Sequence, residues 1–205
     1  LIAYASRTGT VRNLRALADH GWRLLVSAEG EHRTEGFAQY AIDNGAWSAF
    51  AQGRPFNEAS FGALLRSHGA GADWTVLPDI VAGGLPSLEM SLRWMRRVLD
   101  ETPRALLAVQ DGMVDADVRA FIGPRVGIFV GGSTAWKLDT LRAWGALARE
   151  LGAWCHVGRV NTARRIRACT MGGATSFDGT SATRFASTIP LLDHARRQPS
   201  LWGAT

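Results

Sequence analysis

The chain has 205 residues, 46% apolar and 20% charged, with a formal net charge of +5, an ordinary globular balance with enough length for one domain and a substantial core. No apolar run approaches the ~20 residues of a membrane helix. The opening "LIAYASRTGT" has no basic segment ahead of an apolar one, which argues against a signal peptide and makes the cytoplasm the expected compartment.

Short apolar runs recur along the chain. "LIAYA" (1–5) is followed by the helical pattern "TVRNLRALADHG", with Val11, Leu14, Leu17 and Ala18 on one face and Gly21 as its stop. "RLLVSA" (23–28) leads through an irregular link, Ala28 to Gln39, into "QYAID" (39–43). A helix capped by Asn57 and ended by Gly69 precedes "WTVLPD" (74–79), and one capped by Ser87 and ended before Pro103 precedes "ALLAVQ" (105–110). The short "DADVRAFIG" precedes "VGIFVGG" (126–132), "LDTLRAWGALARELG" precedes "WCHVGRV" (154–160), and a helix capped by Asn161 and stopped by Gly172 precedes "ATSFD" (174–178). Continuous apolar runs bounded by polar turns read as buried parallel strands. Eight of them alternating with helices predict an α/β fold, a compact (β/α)8 TIM barrel forming one domain over residues 1–205. The alternative, an open doubly wound sheet, wants a Gly-rich first turn, which "ASRTGTVRN" matches poorly.

Barrel chemistry sits at the C-terminal ends of the strands. Here those ends carry Asp43, Asp79, Gln110 with Asp111, then Gly131, Gly132 and Ser133, then Gly158 with Arg159, and finally Asp178 in "GGATSFDGT". Each has a plain structural reading, since an Asp before Gly is commonly a turn residue. Their coincidence on one rim favours chemistry. Two carboxylates can divide nucleophilic and acid–base work at an acetal-like carbon. A third carboxylate and an amide suit the edge of a guanine, whose N1–H and N2–H2 donate and whose O6 accepts.

Cys155 and Cys169 make no disulfide framework and read as free thiols. They bring metal-ligand chemistry close to His156, but adjacent residues on a strand point to opposite faces, so no metal is expected. Arginine supplies most of the positive charge, which suits a polyanion, and Arg7, Arg159, Arg164 and Arg184 lie nearest the strand ends.

In order along the chain, "SRTGTVRNLRAL", "IDNGAWSAF", "VLPD", "LLAVQDG", "VGGSTAWK" and "HVGRVNTARRIRACTMGGATSFDGTSATRF" resemble the motifs of the tRNA-guanine transglycosylases. The similarity is closest to their shorter relatives, which insert 7-deazaguanine bases into DNA. The last segment carries the most specific match, to "MGVGTPEDLLEAVxxGVDMFDCVxPTR". The resemblance implies that Asp178 is the nucleophile at C1′ and Asp43 the general acid–base. It implies that Asp79 binds the guanine-like edge, and that Gln110 and the Gly131–Gly132 backbone, beside Ser133, hold O6. It implies no cofactor, and as partners a nucleic acid and a free 7-deazaguanine such as a 7-cyano or 7-aminomethyl form. The tRNA enzymes carry a Cys-x-Cys-x-x-Cys zinc insert with a later His. The sequence has no counterpart, which points to DNA rather than RNA.

Three other functions stay open at this point. They are base exchange in RNA, a catalytically silent barrel that binds nucleic acid through its arginines, and a small-molecule glycosidase or nucleosidase using Trp47, Trp74, Trp94 or Trp136 as sugar platforms. Tryptophans in such positions more often pack the core or the rim.

Overall fold

The computed structural model describes residues 1–7 and 10–198, so Thr8 and Gly9 of the "SRTGT" turn lie outside the described residues. Within them, eight parallel strands close into a barrel in sequential order: β1 (Ile2–Ser6), β2 (Arg23–Ser27), β3 (Tyr40–Asp43), β4 (Thr75–Val76), β5 (Ala105–Val109), β6 (Val126–Val130), β7 (Cys155–Val157) and β8 (Ser176–Asp178). Every apolar run singled out in the sequence forms a strand, and β8 returns to β1 with Asp178 opposite Tyr4. Around the barrel lie α1 (Val11–Asp19), α2 (Ala46–Ala51), α3 (Glu58–His68), α4 (Leu85–Glu101), α5 (Asp115–Val118), α6 (Thr134–Glu150), α7 (Ala163–Met171), α8 (Thr180–Arg184) and α9 (Ile189–Arg197). Among the described residues no helix is long and apolar enough to cross a membrane.

The two-residue alternation of the strands sorts the core into two layers. Inward-facing Tyr4, Leu25, Ala41, Trp74, Val76 and Leu106 fill the barrel, with Ile2, Phe129 and Trp154 against them. Outward-facing residues such as Ala3, Ala5, Leu107, Val109, Ile128, Cys155 and Phe177 pack under the helices. Cys155 therefore lies in the outer layer while its neighbour His156 faces Ser176 and Asp178 inside.

Helix starts depart from the sequence reading in three places. α4 begins at Leu85, with Pro86 in its first turn, so Ser87 is inside the helix rather than capping it. Pro at this position costs no hydrogen bond, because the first N–H groups of a helix have no partner within it. α6 begins at Thr134, one turn earlier than its apolar pattern, because Ser133 caps it through Trp136 N. Thr162 rather than Asn161 caps α7; the Asn161 side chain reaches over to accept from Thr180 N and Ser181 N at the start of α8. The pattern reading also left out α2, α8 and α9. β4 is short because Pro78 has no N–H to give the ladder, which leaves Asp79 on a loop three residues beyond the strand.

Candidate active site at the barrel mouth

Parallel strands bring all the strand ends to one rim, and Asp43, Asp79 and Asp178 stand together there. Asp43 ends β3. Its Oδ2 accepts from Ser27 Oγ at 3.1 Å and from Gly45 N at 3.2 Å. Burial pushes its carboxyl up to about 6, and the neighbouring carboxylates of Asp178 and Asp79 push the same way. It is partly open to solvent, so the proton it holds can be exchanged.

Asp79 is oriented by two amides. Asn44 Nδ2 donates to Oδ1 at 2.7 Å and Gln110 Nε2 to Oδ2 at 2.8 Å. Burial raises its carboxyl above the usual range against the opposing pull of these two donors and of Arg159. Each carboxylate oxygen has two lone pairs, so both keep acceptor capacity for an incoming N–H.

Asp178 ends β8 with its side chain 13% exposed. Oδ1 faces His156 Nε2 at 3.0 Å, and Arg159 N lies 3.3 Å from both carboxylate oxygens. Arg159 reaches this position in the left-handed region, at φ 60°, which is strained for a side-chain-bearing residue by about 1–2 kcal/mol. That turn aims its N–H at Asp178 and throws its guanidinium back across the mouth. There it donates to Gly132 O at 2.6 Å and stacks 4.1 Å from the Trp47 ring centroid. Lys137, buried in the first turn of α6, donates to Gly158 O at 2.5 Å; burial brings its ammonium down to about 8, with Arg159 pushing the same way.

The remaining expected binding groups are already engaged. Gln110 is 3% exposed; besides Asp79 its Nε2 meets Ile80 O and Ser87 Oγ, and its Oε1 accepts from Gly83 N. It is thus committed to shaping the loop that carries Asp79, rather than aimed at a ligand. Gly131 N donates to Val109 O as part of the barrel. Ser133 donates through N and Oγ to Asp111, which ties the loop after β6 to the loop after β5. Gly132, at φ +70°, leaves space that Asp111 and the Trp136 ring occupy. Gly179 likewise makes room for Val160 O and Asn161 of the neighbouring loop.

The four arginines all follow strand ends. Arg7 leaves β1 and clamps Arg33 O and Glu35 O at 2.9 and 3.3 Å. Arg164, in the first turn of α7, and Arg184, ending α8, are exposed. Of the four tryptophans considered as sugar platforms, only Trp47 is substantially exposed, at 47%, and it lies four residues beyond Asp43. Trp74 is inside the barrel, Trp94 packs on Phe56 and Phe61, and Trp136 packs on Trp144.

Sequence reasoning missed His156, Asn44, Ser27 and Lys137. The signal for His156 was available. In "WCHVGR" the alternation that turns Cys155 outward turns His156 inward, on the strand beside the one that carries Asp178. Among the described residues, no three His, Cys, Asp or Glu side chains group to hold a metal ion. Comparison with protein-family models and with curated protein sequences finds no match to the chain.

Proposed function

We propose that this barrel is a base-exchange transglycosylase that replaces guanine in DNA with a 7-deazaguanine derivative through a covalent aspartyl-glycosyl intermediate. The observation that carries the reading is the unlike treatment of two neighbouring acids. Asp43 stands among other carboxylates and holds a proton up to about pH 6, whereas Asp178 is held by the His156 and Arg159 donors.

In the first step Asp178 attacks C1′ of the target nucleoside. The C1′–N9 bond breaks, its electron pair leaves with guanine, and Asp43 supplies the proton. In the second step N9 of the incoming deazaguanine attacks C1′, the bond to Asp178 breaks, and Asp43 takes the N9 proton. Two inversions preserve the β configuration. Asp79, oriented by Asn44 and Gln110, accepts from the N1–H and N2–H2 edge of either base. The target base must leave the helical stack, at a cost of a few kcal/mol in a duplex. Trp47, four residues beyond Asp43 and 47% exposed with the Arg159 guanidinium over its ring, is the aromatic side chain available to it. Arg7, Arg159, Arg164 and Arg184 supply the positive rim for the phosphates.

The test is exchange of labelled guanine from an oligonucleotide in the presence of 7-cyano- or 7-aminomethyl-7-deazaguanine, with a matching RNA as the second arm. Nucleoside mass spectrometry reads the product, and a denaturing gel reads the protein–DNA adduct. Incorporation into DNA with an adduct that needs Asp178 supports the reading. Incorporation only into RNA moves the substrate to RNA, and neither product nor adduct on either polymer rejects base exchange.

A further inference from the structure

A file of polar groups runs through the apolar barrel interior beneath Asp178. Trp154 Nε1 donates to Ser176 Oγ at 2.7 Å, Ser176 Oγ lies 2.8 Å from His156 Nδ1, and His156 Nε2 lies 3.0 Å from Asp178 Oδ1. Neither His156 nor Ser176 is exposed at all. The imidazole is walled in by Phe129, stacked at 5.1 Å between ring centroids, and by Trp74 at 4.5 Å and Tyr4 at 5.8 Å.

The two ends of the file fix where its protons are. An indole N–H can only donate, and a carboxylate can only accept. Burial lowers the proton affinity of His156 against the pull of Asp178, which favours a ring with a single proton. That proton must sit on Nε2, since otherwise the Nε2 lone pair would face the lone pairs of Asp178 Oδ1. Nδ1 is then an acceptor, Ser176 gives it the hydroxyl hydrogen, and the Ser176 oxygen accepts from Trp154. This assignment satisfies every group in the file.

We propose that Trp154, Ser176 and His156 form a tautomer lock that positions Asp178: the Nε2–H of His156 holds Oδ1 and leaves Oδ2 to attack. What Asp178 attacks rests on the transglycosylase reading; the lock itself does not. As the Oδ2–C1′ bond forms and C1′–N9 breaks, Oδ1 becomes the ester carbonyl oxygen and keeps the same Nε2–H. When the incoming base takes C1′, the electron pair of the C1′–Oδ2 bond returns to Asp178. No proton travels along the file in either step, so His156 is a positioning residue and not a general base.

Two measurements test this. Two-bond proton–nitrogen correlation of protein labelled with 15N-histidine reports the tautomer without any substrate. The expected result is a neutral Nε2–H ring at pH 8; an Nδ1–H ring or an imidazolium at that pH overturns the lock. Adduct formation is then compared in His156→Gln, whose amide can both donate to Asp178 and accept from Ser176, and in His156→Phe, which fills the space without a donor. The Phe variant should form adduct on the order of 100-fold more slowly at saturating DNA, with KM unchanged, and the Gln variant should stay within about 10-fold of the parent. Equal loss in both variants, or a loss confined to KM, overturns the positioning role. If the parent forms no adduct, base exchange fails while the tautomer measurement still judges the lock.

Discussion

The two ends of the barrel each place aspartate where it is largely shielded from water, and they treat it differently. At the N-terminal floor Asp73 meets a full charge: Arg23 Nη1 lies 2.9 Å from its Oδ2, and Tyr4 Oη donates to the same oxygen at 2.7 Å. Arg104 adds a bond to the Asp73 backbone and stacks on Trp154 at 4.8 Å, closing the floor. At the mouth, Asp43 meets neutral donors and the field of Asp178 and Asp79, Asp79 meets two neutral amides, and Asp178 meets His156 and a backbone N–H. Among the described residues no Lys or Arg forms an ion pair within 4.0 Å of these three acids. Arg159 passes close enough to stabilise Asp79 but sends its guanidinium to Gly132 and Trp47. A fold that needed these acids only for stability would pair them as the floor pairs Asp73. Leaving them uncompensated costs stability and keeps their lone pairs and protons available, the usual mark of a working site.

The largest effect that can break this contrast is on activity. Asp178→Asn keeps the shape and removes the proposed nucleophile, so adduct formation and exchange should fall by on the order of 10,000-fold or more. Asp43→Asn should slow guanine departure by roughly 100- to 10,000-fold, the usual range for a lost general acid, with the nucleophile still in place. Trapping the adduct on a denaturing gel separates them. An adduct that survives Asp178→Asn and vanishes in Asp43→Asn reverses the two roles. If neither change matters, both acids are turn residues and the mouth is no different from the floor.

The next effect has the opposite sign on stability. The Asp43 carboxyl sits at about 6 in the folded chain against an ordinary 3.8. Between these values the folded state holds a proton that the unfolded chain has released. Its contribution is therefore fully present below about pH 4 and is lost as pH rises through about 6. At pH 7.5 Asp43→Asn should stabilise the protein by roughly 2–3 kcal/mol, the energy of a shift of about two pKa units. Thermal melts of the two proteins should converge below pH 4. Removing the floor acid should do the reverse. Asp73→Ala strands the Tyr4 hydroxyl and the part-buried Arg23, and should cost about 1–3 kcal/mol with DNA affinity unchanged. A mouth acid whose removal destabilises as much as Asp73→Ala would be structural after all.

How much of this was legible in the sequence follows the same divide between position and direction. Strand periodicity located every strand, and strand ends located Asp43, Asp79 and Asp178, because a parallel barrel puts all such ends on one rim whatever the side chains do. Direction was harder to read. Gln110 has the right chemistry at the right strand end, yet Gly83, Ile80 and Ser87 turn it toward Asp79, and those contacts are made by a loop whose path periodicity does not encode. Asn161 reads as the cap of the helix that follows it and instead caps α8, a partner 19 residues away in sequence. His156 read as a failed zinc ligand because its neighbour Cys155 was weighed with it, whereas its partners are Ser176 and Asp178 on the adjacent strand.

The smallest effect concerns the arginines, and it sharpens the comparison most directly because both ends carry exposed ones. Arg164 and Arg184 stand on the mouth side, at the start of α7 and the end of α8. Arg119 lies on the opposite side, where the chain runs from α5 toward β6, and is paired with Glu150 at 2.6 Å and Asp115 at 3.4 Å. A phosphate neutralised at the mouth releases condensed counterions, so each contact adds about 0.7–0.9 to the slope of log affinity against log salt. Arg164→Ala and Arg184→Ala should each lower that slope by about this amount and weaken binding similarly for every DNA sequence. Arg119→Ala should leave the slope unchanged, since its charge is already met and faces away from the site. Titration of a fluorescent oligonucleotide between low and moderate salt measures all three variants. A slope that falls equally for Arg119→Ala would mean that DNA binds by diffuse attraction to a basic protein. A slope near zero in the parent would mean that the mouth takes a small molecule, and the nucleic acid would drop out of the proposal while the barrel and its uncompensated acids remain.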